Sequence, residues 1–124
     1  MKLLLSIIIF TISYMSIAQA NNQIQNLNKF ICSLYHGILL KDKISSLPKN
    51  DKYKHCAMSC SLALRCNPKE VYRFGILKEI ADLLGMGAPE QADIEANKIG
   101  IRFVTGGLAR DDHDCLFRCD TIEW

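Results

Sequence analysis

Two sets of polar side chains in this 124-residue chain have types and spacing that can do chemistry. The first is His55, followed by Glu79, Asp82, Asp93, Glu95 and the amide of Asn97. An imidazole beside a carboxylate can carry a proton or, with further donors, hold a metal ion. The surrounding pattern points elsewhere. There is no H-E-x-x-H stretch and no close His pair, and Ser59 and Ser61 sit in no G-x-S-x-G turn. A disulfide-bonded Cys56 beside His55 would lack the thiolate that a Cys–His nucleophile needs. Phosphate-binding glycine loops, dinucleotide fingerprints and calcium loops are missing too. His55 therefore reads as a helix-packing histidine with acidic partners, as do the lone His36 and His113. No catalytic residue, metal or cofactor is expected.

The second set is Lys41, Lys43, Lys49, Lys52 and Lys54. A basic loop feeding a helix N-terminus adds free N–H groups and a favourable dipole, so an anion would suit it. Phosphorylated lipid headgroups come first and sulfated glycans second. Charge is unevenly spread along the chain: residues 21–78 hold ten Lys or Arg against Asp42, Asp51 and Glu70, whereas residues 79–124 hold four against ten Asp or Glu. Nucleic acid is not an expected partner, because aromatic residues near the lysines are few apart from Tyr53 and the sum of charge is close to neutral.

These side chains must be positioned by a small exported domain. Met1-Lys2, an apolar run from Leu3 to Ile17 and Ala18-Gln19-Ala20 match the three regions of a signal peptide with an A-x-A cleavage site. The run, about 15 residues, is shorter than the ~20 of a membrane-spanning helix and is diluted by Ser6, Thr11, Ser13 and Ser16. Residues 1–20 are expected to be removed, leaving 21–124 as one domain with no transmembrane segment. The destination is secreted or extracellular, with the periplasm as transit or alternative. All six cysteines (Cys32, Cys56, Cys60, Cys66, Cys115 and Cys119) lie after the cleavage point, and an even number in an exported chain reads as three disulfides.

The expected fold is all-α, a small four- to five-helix bundle stapled by disulfides. Ile24, Leu27, Ile31, Leu34 and Ile38 recur in steps of three and four on one face, which predicts a first helix over about 22–40. Residues 41–50, polar and broken by Pro48, read as a loop. Asn50 or Asp51 can cap a second helix running to about Arg65. Asn67, Pro68 and Glu70 fall at the N-cap, first and third positions of a third helix ending near Leu84, where Gly85 and Gly87 can stop it. Pro89 opens a fourth helix that Gly100 ends, and residues 101–110 read as an irregular connection. Asp111 or Asp112 can cap a last helix.

Cys56 and Cys60 are four apart, as are Cys115 and Cys119, so each pair shares one helix face. Antiparallel packing would join Cys56 to Cys119 and Cys60 to Cys115, leaving Cys32 for Cys66. Parallel packing would exchange the first two bridges, and six cysteines allow fifteen pairings in all.

Asp51-Lys52-Tyr53-Lys54-His55 resembles the D-K-Y-x-H segment of serum amyloid A proteins. Leu84-Gly85-Met86-Gly87-Ala88 resembles their segment ending in G-x-G-A, and Ala92-Asp93-Ile94-Glu95-Ala96-Asn97-Lys98-Ile99-Gly100 resembles their A-D-x-x-A-N-x-x-G. The same skeleton is similar to helical modules of bacterial secreted proteins and polymorphic-toxin tails, some with an H-C-x3-C variant like His55-Cys56 to Cys60. The likeness covers about residues 51–100. It implies a helical bundle in which His55, Glu79, Asp93 and Asn97 form a structural polar network tying three helices, with Asn97 bonding helix-end backbone and Gly100 serving the C-terminal turn. Serum amyloid A proteins bind lipid and small apolar ligands, often as oligomers. This chain departs from them in its six cysteines, its C-terminal cysteine helix and a first helix without their aromatic start.

The expected function is that of a secreted, non-enzymatic binding or effector protein, active in virulence, that engages an anionic surface through the lysine-rich face. The alternatives are a small secreted hydrolase or toxin using His55 with Glu79 or Asp93, or an interaction module for a host or neighbouring-cell protein.

Overall fold

The structure is a computed structural model in which the backbone of residues 2–84 and 90–124 and the side chains of residues 11–21, 30–77 and 90–124 are described. Five α-helices follow in order among them: α1 (Lys2–Ser45), α2 (Asp51–Ala63), α3 (Pro68–Leu84), α4 (Gln91–Thr105) and α5 (Asp112–Asp120). No described residue lies in a strand. The all-α bundle stapled by disulfides expected from the sequence is the fold observed. The chain divides into two compact units, Met1–Ile31 and Cys32–Trp124. In the first unit, the side chains of residues 11–21 are all exposed. Among the described residues, no helix is long and apolar enough to cross a membrane.

The second unit is built around α2. Its Ala57 and Ala63, with Ser59 and Ser61, keep the helix slender, so that neighbours can approach on several sides. Its most extensive packing is with α4, followed by α5 and α3. The core gathers Leu40 and Ile44 from α1, Tyr53, Cys56, Ala57 and Leu62 from α2, Val71 from α3, Ile101 from α4 and Cys119 from α5. A smaller cluster of Cys60, Ala109 and Cys115 lies beneath the start of α5.

Local capping accounts for most helix starts. The Asn50 side chain accepts from the Tyr53 N–H at 2.8 Å, and Asp111 accepts from the Asp114 N–H at 2.8 Å. Each satisfies an N–H that the first turn leaves without a helical partner. Asn67 accepts from the Lys69 N–H at 2.9 Å. Glu70 does not complete a capping box. Its Oε1 accepts instead from the backbone N–H of Ser33 at 2.9 Å, linking α3 to α1.

The structure departs from the sequence reading at four points. First, the stretch expected to be a loop from Lys41 is helical to Ser45. Leu40 and Ile44, one turn apart and both buried, carry the helix through the polar segment. Second, the apolar residues on the shared face of the first helix do not all pack against the core. Leu34 and Ile38 are instead 51% and 66% exposed, and Ser33 is wholly buried. The Cys32–Cys66 bridge and the Ser33–Glu70 bond fix the rotation of α1 so that this other face meets the core.

Third, Gly100 does not end the fourth helix, which continues to Thr105. Gly100 is buried, and a Cβ there would stand 2.2 Å from the Cys56 carbonyl oxygen, so glycine here permits close helix packing. Fourth, residues 101–105 are helix rather than an irregular connection. The stop comes at Gly107, whose φ of 72° lies in the left-handed region that glycine enters without steric cost. There the Leu108 N–H reaches the Phe103 carbonyl at 2.8 Å and the Gly107 N–H reaches the Val104 carbonyl at 3.0 Å, the bonding pattern of a Schellman turn. Gly85, Gly87 and Pro89, assigned to the stop of the third helix and the start of the fourth, lie outside the described residues.

Three disulfides staple the unit: Cys32–Cys66, Cys56–Cys119 and Cys60–Cys115. The last two join α2 to α5 in the antiparallel order. Their loops span 63 and 55 residues, and chain-entropy reasoning assigns roughly 4 kcal/mol to each. Tyr53 and Arg65 hold the same helix pair from either side. The Tyr53 hydroxyl donates to the Leu116 carbonyl at 3.2 Å. Arg65 grips Asp112 through two parallel hydrogen bonds of 2.7 Å each.

Candidate functional site

An apolar groove of about 450 Å³ opens between the C-terminal stretch of α1 and helices α2 and α3. Leu34 and Ile38 of α1, Met58 and Leu62 of α2, and Val71 and Phe74 of α3 line its interior. Its volume falls in the range that holds a small ligand. The groove exists because of the rotation of α1. Had Leu34 and Ile38 packed into the core, this wall would be absent. Its polar residues are Lys41 and Ser45 on α1, Asp51, Lys54, His55 and Ser59 on α2, and Asn97 on α4.

The five lysines do not all face the same way. Lys41 and Lys43 are two apart on α1, as are Lys52 and Lys54 on α2, and residues two apart on a helix do not face each other. Lys41 and Lys54 reach the groove. Lys52 pairs with Glu90 at 3.2 Å, and Lys49 pairs with Asp120 while lying 5.4 Å from the Tyr53 ring. These hydrogen-bonded carboxylates raise the pKa of both lysines. The positive half of the sequence is thus partly neutralised by the negative half, and two of the five lysines are spent in that pairing.

His55 sits where α2 meets α4. Its side chain is only 10% exposed, and its Nε2 lies 3.5 Å from an Asp51 carboxylate oxygen and 3.6 Å from one of Asp93. The spacing Asp51 to His55 is one helical turn, and Asp93 reaches across from the first turn of α4. Asp93 Oδ1 is buried and has no hydrogen-bond partner among the described residues. Asn97, one turn after Asp93, accepts a hydrogen bond from the Ser59 hydroxyl at 2.9 Å. It lies against Gly75, where a Cβ would come within 2.8 Å of its amide nitrogen. Asn97 thereby binds α4 to α2 and leans on α3. Glu79, the remaining member of the expected polar network, lies outside the described residues.

Among the described residues, two other groups of metal-capable side chains occur. Cys32, His36 and Cys66 are near one another, but both sulfurs are bonded to each other. Asp111 and Asp114 near His113 each give one carboxylate oxygen to local backbone, Asp111 to the α5 cap and Asp114 to the Arg110 N–H, and Asp111 and His113 are exposed.

Sequence reasoning picked out Lys41, Lys54, His55, Asp93 and Asn97, which the fold brings to one side of α2. It missed Asp51 as a neighbour of His55, although the four-residue interval on a helix was the available signal. It also missed the groove, which forms only where α1, α2 and α3 come together. No family model, curated protein or solved structure matches the chain.

Proposed function

We propose that this is an exported, non-enzymatic binding protein whose ligand is an anionic amphiphile: an acyl chain in the groove and a phosphorylated or carboxylate head at Lys41 and Lys54. The observation that carries the reading is a groove whose exposed lining is mostly apolar and which includes two lysines, Lys41 and Lys54. An acyl chain gains from leaving water in proportion to the area covered. A sulfated glycan has no comparable apolar part, so the groove favours lipid over glycan. Kinship with serum amyloid A proteins, proposed from the short motifs around Asp51–His55 and Asp93–Gly100, points in the same direction.

Export is part of the proposal. Three disulfides fit an oxidising compartment outside the cytosol. Cleavage after Ala20 would remove no packed side chain among residues 11–20, because all of them are exposed. The mass of the secreted protein tests this directly, the expected N-terminus being Asn21.

The binding test uses a fluorescent lysophosphatidic acid below its micelle concentration, with lysophosphatidylcholine and heparin as comparisons. The expected result is preference for the anionic lipid, weakening with salt. Lys41→Glu and Lys54→Glu should each lower affinity about tenfold, equivalent to ~1.4 kcal/mol, while Lys52→Glu should change it little. Equal binding of the zwitterionic lipid, or indifference to charge reversal at Lys41 and Lys54, overturns the reading.

A further inference from the structure

We infer that Asp51, His55 and Asp93 form a binding site for a divalent transition-metal ion of the zinc type. One ligand atom from each of the three lies within 4.8 Å of the other two. The distances from His55 Nε2, 3.5 Å to Asp51 and 3.6 Å to Asp93, exceed the roughly 2.7–2.9 Å of a charge-assisted hydrogen bond. They are close to the separation of two donors on one ion. Bonds of about 2.0–2.1 Å in a tetrahedron put neighbouring ligand atoms roughly 3.3 Å apart. The carboxylates therefore stand off the imidazole at ligand spacing.

The second observation concerns Asp93 alone. Its side chain is only 7% exposed, yet its Oδ1 has no hydrogen-bond partner among the described residues. Leaving a carboxylate oxygen buried and unsatisfied is strongly unfavourable unless a charge compensates it. Lys52 is attached to Glu90 and does not supply that charge as a bonded partner. A divalent ion held with His55 would.

The donor set selects the metal. One imidazole and two carboxylates suit zinc, cobalt or manganese, whereas calcium prefers an all-oxygen shell. Asp51 and His55 both border the groove, so a position left open by three protein ligands would face it. The Asp51-x3-His55 pair supplies two ligands from one face of a helix, a different route to the same end as a close His pair. This inference does not depend on lipid binding, and its test uses the metal alone.

The experiment takes the full disulfide-bonded protein, freed of tags and stripped with a chelator. Cobalt(II) is titrated while its visible absorption is followed, and zinc(II) is then used to displace it. One equivalent is expected to bind, with a d–d spectrum displaced from that of aqueous cobalt. His55→Gln and Asp93→Asn should each weaken binding at least tenfold. Asp51→Asn, at an exposed position that leaves the core untouched, should weaken it as well. His113→Gln should leave it unchanged. Absence of a stoichiometric site, or unchanged affinity in Asp51→Asn and His55→Gln, overturns the inference. Circular dichroism of each variant before metal addition separates loss of a ligand from loss of the fold.

Discussion

Gly100 of α4 lies so close to the Cys56 carbonyl of α2 that a Cβ at position 100 would come within 2.2 Å of that oxygen and 3.0 Å of the Cys60 nitrogen. Both neighbours are helical backbone, which cannot swing aside as a side chain can. Gly100→Ala should therefore destabilise the protein by about 2 kcal/mol or more, even though alanine favours helix by ~1 kcal/mol. Urea denaturation of the oxidised protein measures this, and an unchanged midpoint would sink the packing argument.

Gly75 and Asn97 offer a sharper test, because their clash has only one member with room to move. Gly75→Ala should push the Asn97 amide off Ser59 and lower stability by about 1–3 kcal/mol, the range for orphaning a buried polar group. In an Asn97→Ala background the obstacle is gone, and the same change should be neutral or stabilising. A double-mutant cycle by chemical denaturation reads the coupling, expected at 1 kcal/mol or more. Additive effects would rule it out.

The Arg65–Asp112 fork predicts a pH dependence. The hydrogen bonds from Arg65, with a further one from Ser61, hold the Asp112 carboxyl below its usual range. A lowered folded-state pKa means stability that is complete above the unfolded value near ~3.9 and is lost as pH falls through the folded one. Asp112→Asn should cost about 1 kcal/mol at neutral pH and flatten the acid limb of the stability curve. Thermal unfolding between neutral and acidic pH compares the two proteins, and parallel curves would count against the fork.

The bridges between α2 and α5 should decide whether the C-terminal helix persists. A helix of nine residues is too short to be stable alone in water. Cys115→Ala with Cys60→Ala should speed amide exchange across Asp112–Asp120 well above that in α2 and α4. Uniform exchange across all three helices would mean that the bridge stabilises only the whole.

How far the sequence could be read follows from what local pattern encodes. Asn50, Asn67 and Asp111 act on the N–H groups of their own first turns, so their capping roles were visible in the chain. The two C-x3-C pairs were legible for the same reason, up to the choice between parallel and antiparallel packing. The rotation of α1 was not. Leu34 and Ile38 have the spacing of a core face, but the Cys32 bridge and the Glu70 bond, both from distant residues, present another face to the core. Gly100 was misread because a helix-ending glycine and a close-packing glycine look alike until the neighbouring helix is in place. Asp51 was passed over as a partner of His55 because, taken alone, it is an ordinary helix-start residue.

The two-rung ladder from α2 to α5 also acts against error. The paired cysteines have Cα atoms 5.9 and 5.6 Å apart. Four helical residues rise about 6 Å, so a crossed pairing, Cys56 with Cys115 or Cys60 with Cys119, would have to span roughly 8 Å between Cα atoms, beyond the ~7 Å that a disulfide can bridge. With α5 folded and docked antiparallel, the wrong isomer is out of reach. The equal spacing that makes the two pairs look interchangeable in the sequence becomes, in three dimensions, a proofreading rule for oxidation.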